Sequence, residues 1–416
     1  MAQTKYLIVG SSHAGLEALH AIRACDPEGS LVMATRDSHL PYSPTILPYV
    51  VSGRSKPEKI KLRGEDYFKS LKAEFAKGAE LAKLDTKKKL ATFADGRSWT
   101  YEKLLLATGA APVLPPVKGL DKVKCHVLRT MDDALGLRNA MGSAKTAVVL
   151  GAGLIGTHGA ENLAEAGLKV TVIEMQGQVL PGYFDRDGAA IIERAFTKHG
   201  ITLIFGHGAA EVKPGRVILD DGREIAFDLL LVGTGVRPET SYLKGSGVEV
   251  NRGILVDEAM RTSAADVWAA GDCAEAKLFQ GDGKGVAGIL PVAVEQGRIA
   301  GMGMAGDRSL KPFPGSVPIN TYTFYGQQAI SVGSGIAGAV PEGAENIVTA
   351  DPARNSYRRI VLKDGRLMGV AGINVSLDPG ILWQLILRKV DLAPVREAFL
   401  ADPLATGRSL MSRMWR

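Results

Sequence analysis

The sequence predicts an α/β protein with two similar units of parallel strands and helices. Three observations carry this. An apolar run, a glycine turn and a helical pattern occur in that order twice, over 5–24 and again over 147–166. Asp95-Gly96-Arg97 recurs 126 residues later as Asp221-Gly222-Arg223. Thr108-Gly109 recurs at the same offset as Thr234-Gly235.

Taken in order, Lys5–Val9 reads as a strand ending in Gly10-Ser11-Ser12-His13-Ala14-Gly15, and Leu16–Ala24 as the helix behind it. Ala147–Leu150 is the second such strand, ending in Gly151-Ala152-Gly153-Leu154-Ile155-Gly156, with a helix to about Ala166. The first glycine of each turn permits a tight bend, and the last lets helix and strand pack closely. A small middle residue lets the backbone approach a pyrophosphate at the helix N-terminus, where free N–H groups and the helix dipole favour negative charge. The later repeats add a DG hairpin to each copy. Tyr101-Glu102 corresponds to Phe227-Asp228, and buried core strands end in Ala107 and Gly233. Both units therefore read as Rossmann-like dinucleotide-binding domains.

The two copies predict different ligands. In the second, strand Lys169–Ile173 ends at Glu174, 21 residues beyond Gly153. A carboxylate there accepts hydrogen bonds from a ribose 2′-hydroxyl and repels a 2′-phosphate; Met175 and Gln176 offer no arginine. NAD is expected over NADP, the bland alternative being a solvated strand end. In the first copy Ser12 replaces the middle glycine, and strand Leu31–Ala34 ends in Thr35-Arg36-Asp37 rather than an acid. Adenosine anchoring is expected to differ there, with Arg36 stacking on adenine or Asp37 taking the ribose.

Composition sets the outer bounds. A chain of 416 residues, 46% hydrophobic and 23% charged, is globular and too long for one core. Net charge is +6, without an arginine-rich helix interleaved with aromatics, so no nucleic-acid partner is expected; the surplus suits anionic cofactors or an acidic protein. The start, Met1–Thr4, leads straight into Tyr6-Leu7-Ile8-Val9 with no signal-peptide pattern, and no apolar run approaches the ~18 residues of a membrane span. A cytoplasmic location is expected. Cys25, Cys125 and Cys273 are too scattered for a CxxC pair and too few for a four-cysteine cluster or zinc set, so no metal site is expected.

Together these motifs resemble the FAD/NAD-linked reductases of the pyridine nucleotide–disulfide oxidoreductase fold, over nearly the whole chain. A third hallmark supports it: Thr262, then Val267-Trp268-Ala269-Ala270-Gly271-Asp272, similar to the family's second FAD motif, in which the aspartate bonds the ribityl chain. Pro291-Val292-Ala293-Val294-Glu295-Gln296-Gly297-Arg298 resembles the helix that faces the flavin pyrimidine. The resemblance implies an FAD site of Gly10, Ser12, Ala14, Gly15, Arg36, Leu81, Ala107, Thr108, Gly109, Arg129, Gly271, Asp272, Pro291 and Val292. It implies an NAD site of Gly151, Gly153, Leu154, Ile155, Gly156, Glu174, Gly235 and Val236. The implied division is an FAD domain at 1–112 and 237–311, split by an inserted NAD domain at 113–236, and a C-terminal α+β interface domain at 312–416.

One departure decides the chemistry. Aligning on Leu47-Pro48-Tyr49 puts Thr45 where thiol-using relatives carry a redox cysteine, and a hydroxyl cannot cycle through a disulfide. His13 matches a histidine that such relatives keep near the flavin, and His158 stands where others have a glutamate beside the nicotinamide; both also suit structural roles. His13, Thr45 and His158 are the candidate catalytic residues. Without a thiol pair, electrons must leave to an external partner, with hydride exchanged between nicotinamide and flavin.

Further likeness narrows the family. Leu40-Pro41-Tyr42-Ser43-Pro44-Thr45, the Gly156-Thr157-His158 variant, Leu387-Arg388-Lys389-Val390-Asp391-Leu392 and the basic end 411–416 resemble the FAD-containing, NAD-reducing subunits of 2-oxoacid:acceptor oxidoreductases. That implies partner subunits holding thiamine diphosphate and iron–sulfur clusters, which oxidise an aromatic 2-oxoacid with coenzyme A. Two alternatives stand beside it: a free-standing NADH-dependent ferredoxin or rubredoxin reductase, and an assembly or NAD-sensing subunit with a dormant flavin site.

Overall fold

The computed structural model describes residues 2–414, so Met1 and the terminal Trp415 and Arg416 of the basic end lie outside the described residues. The chain folds into two compact units: 1–46 with 55–111 and 236–316, and 47–54 with 112–235 and 317–416.

The first unit is built on parallel strands in the order Ala73–Ala76, Leu31–Ala34, Ala2–Val9, Ser98–Leu106 and Val267–Ala269. The long strand Ser98–Leu106 does two jobs. Its first half pairs antiparallel with Leu90–Phe93 across the Asp95-Gly96 turn, and its apolar second half joins the core. Leu104, Leu105 and Leu106 are fully buried between strand Ala2–Val9 and strand Val267–Ala269. Helices His13–Cys25 and Leu290–Ala305 pack backbone to backbone. A Cβ placed on Gly297 would lie 2.2 Å from the Ala14 carbonyl oxygen, and one on Gly301 would lie 2.5 Å from that of Ala18.

The second unit contains a parallel sheet in the order Thr202–Phe205, Lys169–Glu174, Thr146–Leu150 and Leu229–Val232. Here the repeat differs from the first copy. The DG hairpin strand Glu224–Ala226 and the core strand Leu229–Val232 are separate. Asp228 interrupts them because its carboxylate accepts from the backbone N–H groups of Lys145 and Thr146, both at 2.9 Å. The same unit holds an antiparallel sheet in the order Ile319–Phe324, Gln327–Gly333, Arg366–Ile373, Ser356–Lys363 and Glu345–Asp351. Helices Pro379–Leu387, Arg396–Ala401 and Pro403–Met414 follow it, which gives the α+β character expected of the C-terminal region. Leu385 and Ile386 are core residues, and Trp383 donates its indole N–H to the Val317 carbonyl. Among the described residues no helix is long and apolar enough to cross a membrane.

An ion pair ties these parts of the second unit together. Asp185 caps helix Arg186–Lys198 through the Gly188 N–H and accepts from Arg359 at 2.9 Å and from the Tyr357 hydroxyl. Arg359 is 5% exposed and also donates to the Ile336 and Gly338 carbonyls and to Asn346.

Candidate functional site

In each unit a glycine turn meets the end of a neighbouring core strand. Gly10 sits at φ +118, and a Cβ there would lie 2.0 Å from the Ala107 carbonyl oxygen. Gly151 sits at φ +98, and a Cβ there would lie 2.6 Å from the Gly233 carbonyl oxygen. Ala107 and Gly233 are the matching ends of the two repeated strands. The last glycines repeat the pattern, since a Cβ on Gly15 or Gly156 would fall 2.0 Å from the carbonyl oxygen of Gly10 or Gly151. The turns are therefore closed on the strand side. Ser12 and Gly153 are the N-caps of helices His13–Cys25 and Leu154–Glu165, and neither helix has a side-chain cap. A Cβ added to Gly153 would meet nothing within 4 Å. Both helix starts leave N–H groups without a side-chain partner, as a phosphate site requires, and the second faces open space.

In the first unit Ala107 and Gly271, with Ala14, stand at this turn, a Cβ on Gly271 lying 3.2 Å from the Ala14 Cβ. Helix Leu290–Ala305, with Pro291 and Val292 in its first turn, starts without a side-chain cap. Gly271 at φ +81 precedes Asp272, and its N–H donates to the buried Gln296 side chain at 2.9 Å, which fixes the backbone where the carboxylate stands. Thr108 bonds the Glu239 carbonyl and the Tyr242 hydroxyl, and Gly109 is left-handed at φ +73. Leu81 opens strand Leu81–Asp85 with its side chain buried. Arg36 is exposed. Asp37 accepts from the His39 N–H at 2.9 Å and from the Tyr42 hydroxyl at 2.6 Å within its own loop. Arg129 belongs to the second unit, just before helix Met131–Met141, where its backbone N–H donates to Asp133.

His13 and Thr45, far apart in sequence, are joined through Ser43. The Ser43 hydroxyl is 3.1 Å from His13 Nε2 and 2.8 Å from the Thr45 hydroxyl. Burial pulls the His13 pKa down, opposed by the carboxylates of Glu17 and Asp272. Ser43 lies in a motif that is visible in the sequence, but its partner is 30 residues away and no local pattern reports it. The three cysteines are free: Cys25 exposed, Cys125 half-buried and Cys273 buried.

In the second unit Glu174 closes the strand beside the glycine turn. One carboxylate oxygen accepts from the Ala152 N–H at 2.7 Å, the other from the Gln176 N–H at 2.8 Å. Each oxygen keeps acceptor capacity for a further donor. Leu154 and Ile155 begin the helix, with Ile155 37% exposed, and Gly235 is open at φ +103. Val236, also expected at the NAD site, belongs to the first unit and is 48% exposed. His158 lies one turn on. Its Nδ1–H donates to the Leu154 carbonyl at 2.9 Å, so the neutral ring presents Nε2 as an acceptor. Burial pulls its pKa down, and its ring meets Tyr322 edge to face. Sequence reasoning missed Tyr322, which comes from a strand more than 160 residues later.

The neighbouring Glu161 is 6% exposed and accepts the Tyr325 N–H at 2.7 Å. Burial raises its pKa, helped by Glu165 and opposed by the Tyr325 bond, Arg54 and His199. A raised carboxyl pKa means the folded state holds more protons than the unfolded one above pH ~4.3, so the folded state loses this contribution as pH rises through the folded pKa. Glu161→Gln, which keeps an acceptor for Tyr325, should raise Tm above neutral pH by ~2–4 °C for each kcal/mol relieved. The measurement is Tm against pH by calorimetry; parallel curves for the two proteins would count against a buried charge here.

With this geometry in view, the chain is assigned by comparison. Residues 4–297 match the family described as pyridine nucleotide-disulphide oxidoreductase, and the chain belongs to that family. It is an NAD(H)-linked flavoprotein oxidoreductase. It is 51% identical, over 99% of its own length and 98% of the relative's, to the NADH-dependent phenylglyoxylate dehydrogenase subunit epsilon of Aromatoleum evansii. It is 29% identical to a rubredoxin-NAD(+) reductase of Alcanivorax borkumensis, covering 88% of this chain and 94% of that one. Among solved structures, a NAD-dependent persulfide reductase from A. fulgidus superposes with a TM-score of 0.86 at 25% identity, covering 94% of this chain and 78% of the other.

Proposed function

We propose that this protein is the FAD-holding, NAD-reducing subunit of a cytoplasmic complex that oxidises phenylglyoxylate with coenzyme A, its partners carrying thiamine diphosphate and iron–sulfur clusters. The observation that supports this most is the 51% identity, running essentially end to end, to the A. evansii subunit. The FAD domain is taken as 1–112 with 237–311, the NAD domain as 113–236 and the interface domain as 312–416. When bound, a flavin exchanges hydride with nicotinamide and single electrons with clusters.

The chain's own residues bind and orient. The uncapped helix starts at His13 and Leu154 would take the phosphates of FAD and NAD, and the start of helix Leu290–Ala305 would favour negative charge on reduced flavin. Asp272 would hold the ribityl chain and Glu174 the adenosine ribose. His158 Nε2 would accept a carboxamide N–H, the service a carboxylate gives at that position in relatives.

Two experiments test the reading. The full chain, purified and supplied with FAD, should be yellow and should bleach with NADH. Expressed with its native neighbours, it should purify with cluster-bearing and thiamine-diphosphate subunits and support phenylglyoxylate-dependent NAD reduction. A chain that always purifies alone, yet passes electrons from NADH to rubredoxin, would favour the free-standing reductase that the 29% relative suggests. Glu174→Ala should weaken NAD(H) binding by ~1–3 kcal/mol, since it removes an acceptor and frees the Ala152 and Gln176 N–H groups together. Unchanged affinity in a fluorescence titration would remove the basis for choosing NAD over NADP.

A further inference from the structure

We infer that Thr45, Ser43 and His13 form a proton relay from solvent to the first glycine turn, with the buried Ser43 as its middle carrier. The inference rests on the flavoprotein reading above. Thr45 is exposed, Ser43 is 3% exposed and His13 is half-buried, so the middle link of the three is the one shielded from solvent. Both links, 2.8 Å and 3.1 Å, are within hydrogen-bonding distance. A hydroxyl donates and accepts at once, and an imidazole can take a proton on one nitrogen while releasing one from the other. Among the described residues His13 Nδ1 has no hydrogen-bond partner, so the ring keeps one nitrogen for onward transfer. The charged groups acting on the ring are Glu17, on its own helix, and Asp272, from the segment after strand Val267–Ala269. Both carboxylates favour a protonated ring and burial opposes them, which suits a group that takes up a proton only in passing.

The chemistry requires such a supply. Reduction of NAD by an iron–sulfur donor follows NAD⁺ + H⁺ + 2e⁻ → NADH. The donor delivers electrons alone, so each turnover draws one proton from water. The hydroxyl of Thr45 cannot do what a thiol does at that position, but it can pass a proton. Thr45 receives it from solvent, Ser43 carries it across the buried step, and His13 takes it at Nε2 and would release one from Nδ1 to bound flavin, which gains a proton when two electrons reduce it.

The test uses the FAD-loaded full chain in weakly buffered solution with a pH-indicator dye, reduced by methyl viologen radical as the one-electron donor. Proton uptake and flavin bleaching are followed together. In the wild type uptake should keep pace with bleaching and slow in heavy water. In Ser43→Ala uptake should fall behind by roughly 10²-fold, the scale of a lost positioned proton donor. Ser43→Thr, which keeps a hydroxyl, should restore the wild-type pace. Should Ser43→Ala not hold flavin, Thr45→Val, at an exposed position, should show the same lag. Uptake as fast as wild type in both Ser43→Ala and Thr45→Val overturns the relay. Failure of the wild type to bleach with NADH overturns the flavoprotein reading instead, so the two failures are separable.

Discussion

Gly151→Val is expected to weaken NAD(H) binding severely while the first unit still takes up flavin. Gly151 holds φ +98, a conformation in which a side chain costs ~1–3 kcal/mol before any contact is counted, and a β-branched residue suits it least. The added Cβ would also sit 2.6 Å from the Gly233 carbonyl oxygen. Neither backbone can step aside, because Gly151 N–H donates to Ile173 and Gly233 N–H to Leu150, both at 2.8 Å. The turn must open, and the N–H groups of Leu154–Glu165 lose their aim. Affinity for NADH should fall by ~10²-fold or more, equivalent to ~3 kcal/mol. Fluorescence titration of the FAD-loaded variant measures it, the flavin spectrum serving as the control for folding. Affinity within a few-fold of wild type would mean that the second turn does not cradle the dinucleotide.

The largest effect on stability should come from Asp185→Ala. Arg359 is 5% exposed, and the substitution strands its guanidinium without a counter-charge. It also uncaps helix Arg186–Lys198 and deprives the Tyr357 hydroxyl of its acceptor. Breaking one side of a buried pair costs about 3–5 kcal/mol, and loss of a cap adds ~1 kcal/mol. Arg359→Met, which removes the charge and keeps the bulk, should cost much less. Urea unfolding followed by circular dichroism separates the two. Equal, small shifts would show that Asp185 and Arg359 are held apart by solvent.

How far the sequence foretold these results depends on the range of the interaction. The glycine turns, the DG hairpins and the strands ending at Ala107 and Gly233 are local patterns, and each stands where the spacing predicts it. Helix His13–Cys25 begins ahead of the expected Leu16 because its first turn is made of His13, Ala14 and Gly15, which carry no apolar periodicity but lie against the strand end. The continuous strand Ser98–Leu106 and its divided counterpart have nearly the same pattern; what separates them is Asp228 bonding to Lys145 and Thr146, more than 80 residues away. Ser43 with His13, Tyr322 with His158, and Asp185 with Arg359 were equally hidden. Each pairs residues whose separation in the chain carries no signal until the fold brings them together.

The contact of Gly297 and Gly301 with Ala14 and Ala18 has a consequence for how this protein can vary. Where two helices touch main chain to main chain, one extra methyl on either side has nowhere to go, and a compensating change across the seam cannot make room because the opposing side is already backbone. Substitution at Gly297 or Gly301 is therefore disfavoured whatever side chain stands opposite. The two helix starts at 13 and 290 are thereby set in one fixed register, so a side chain forced in at either glycine would displace both at once.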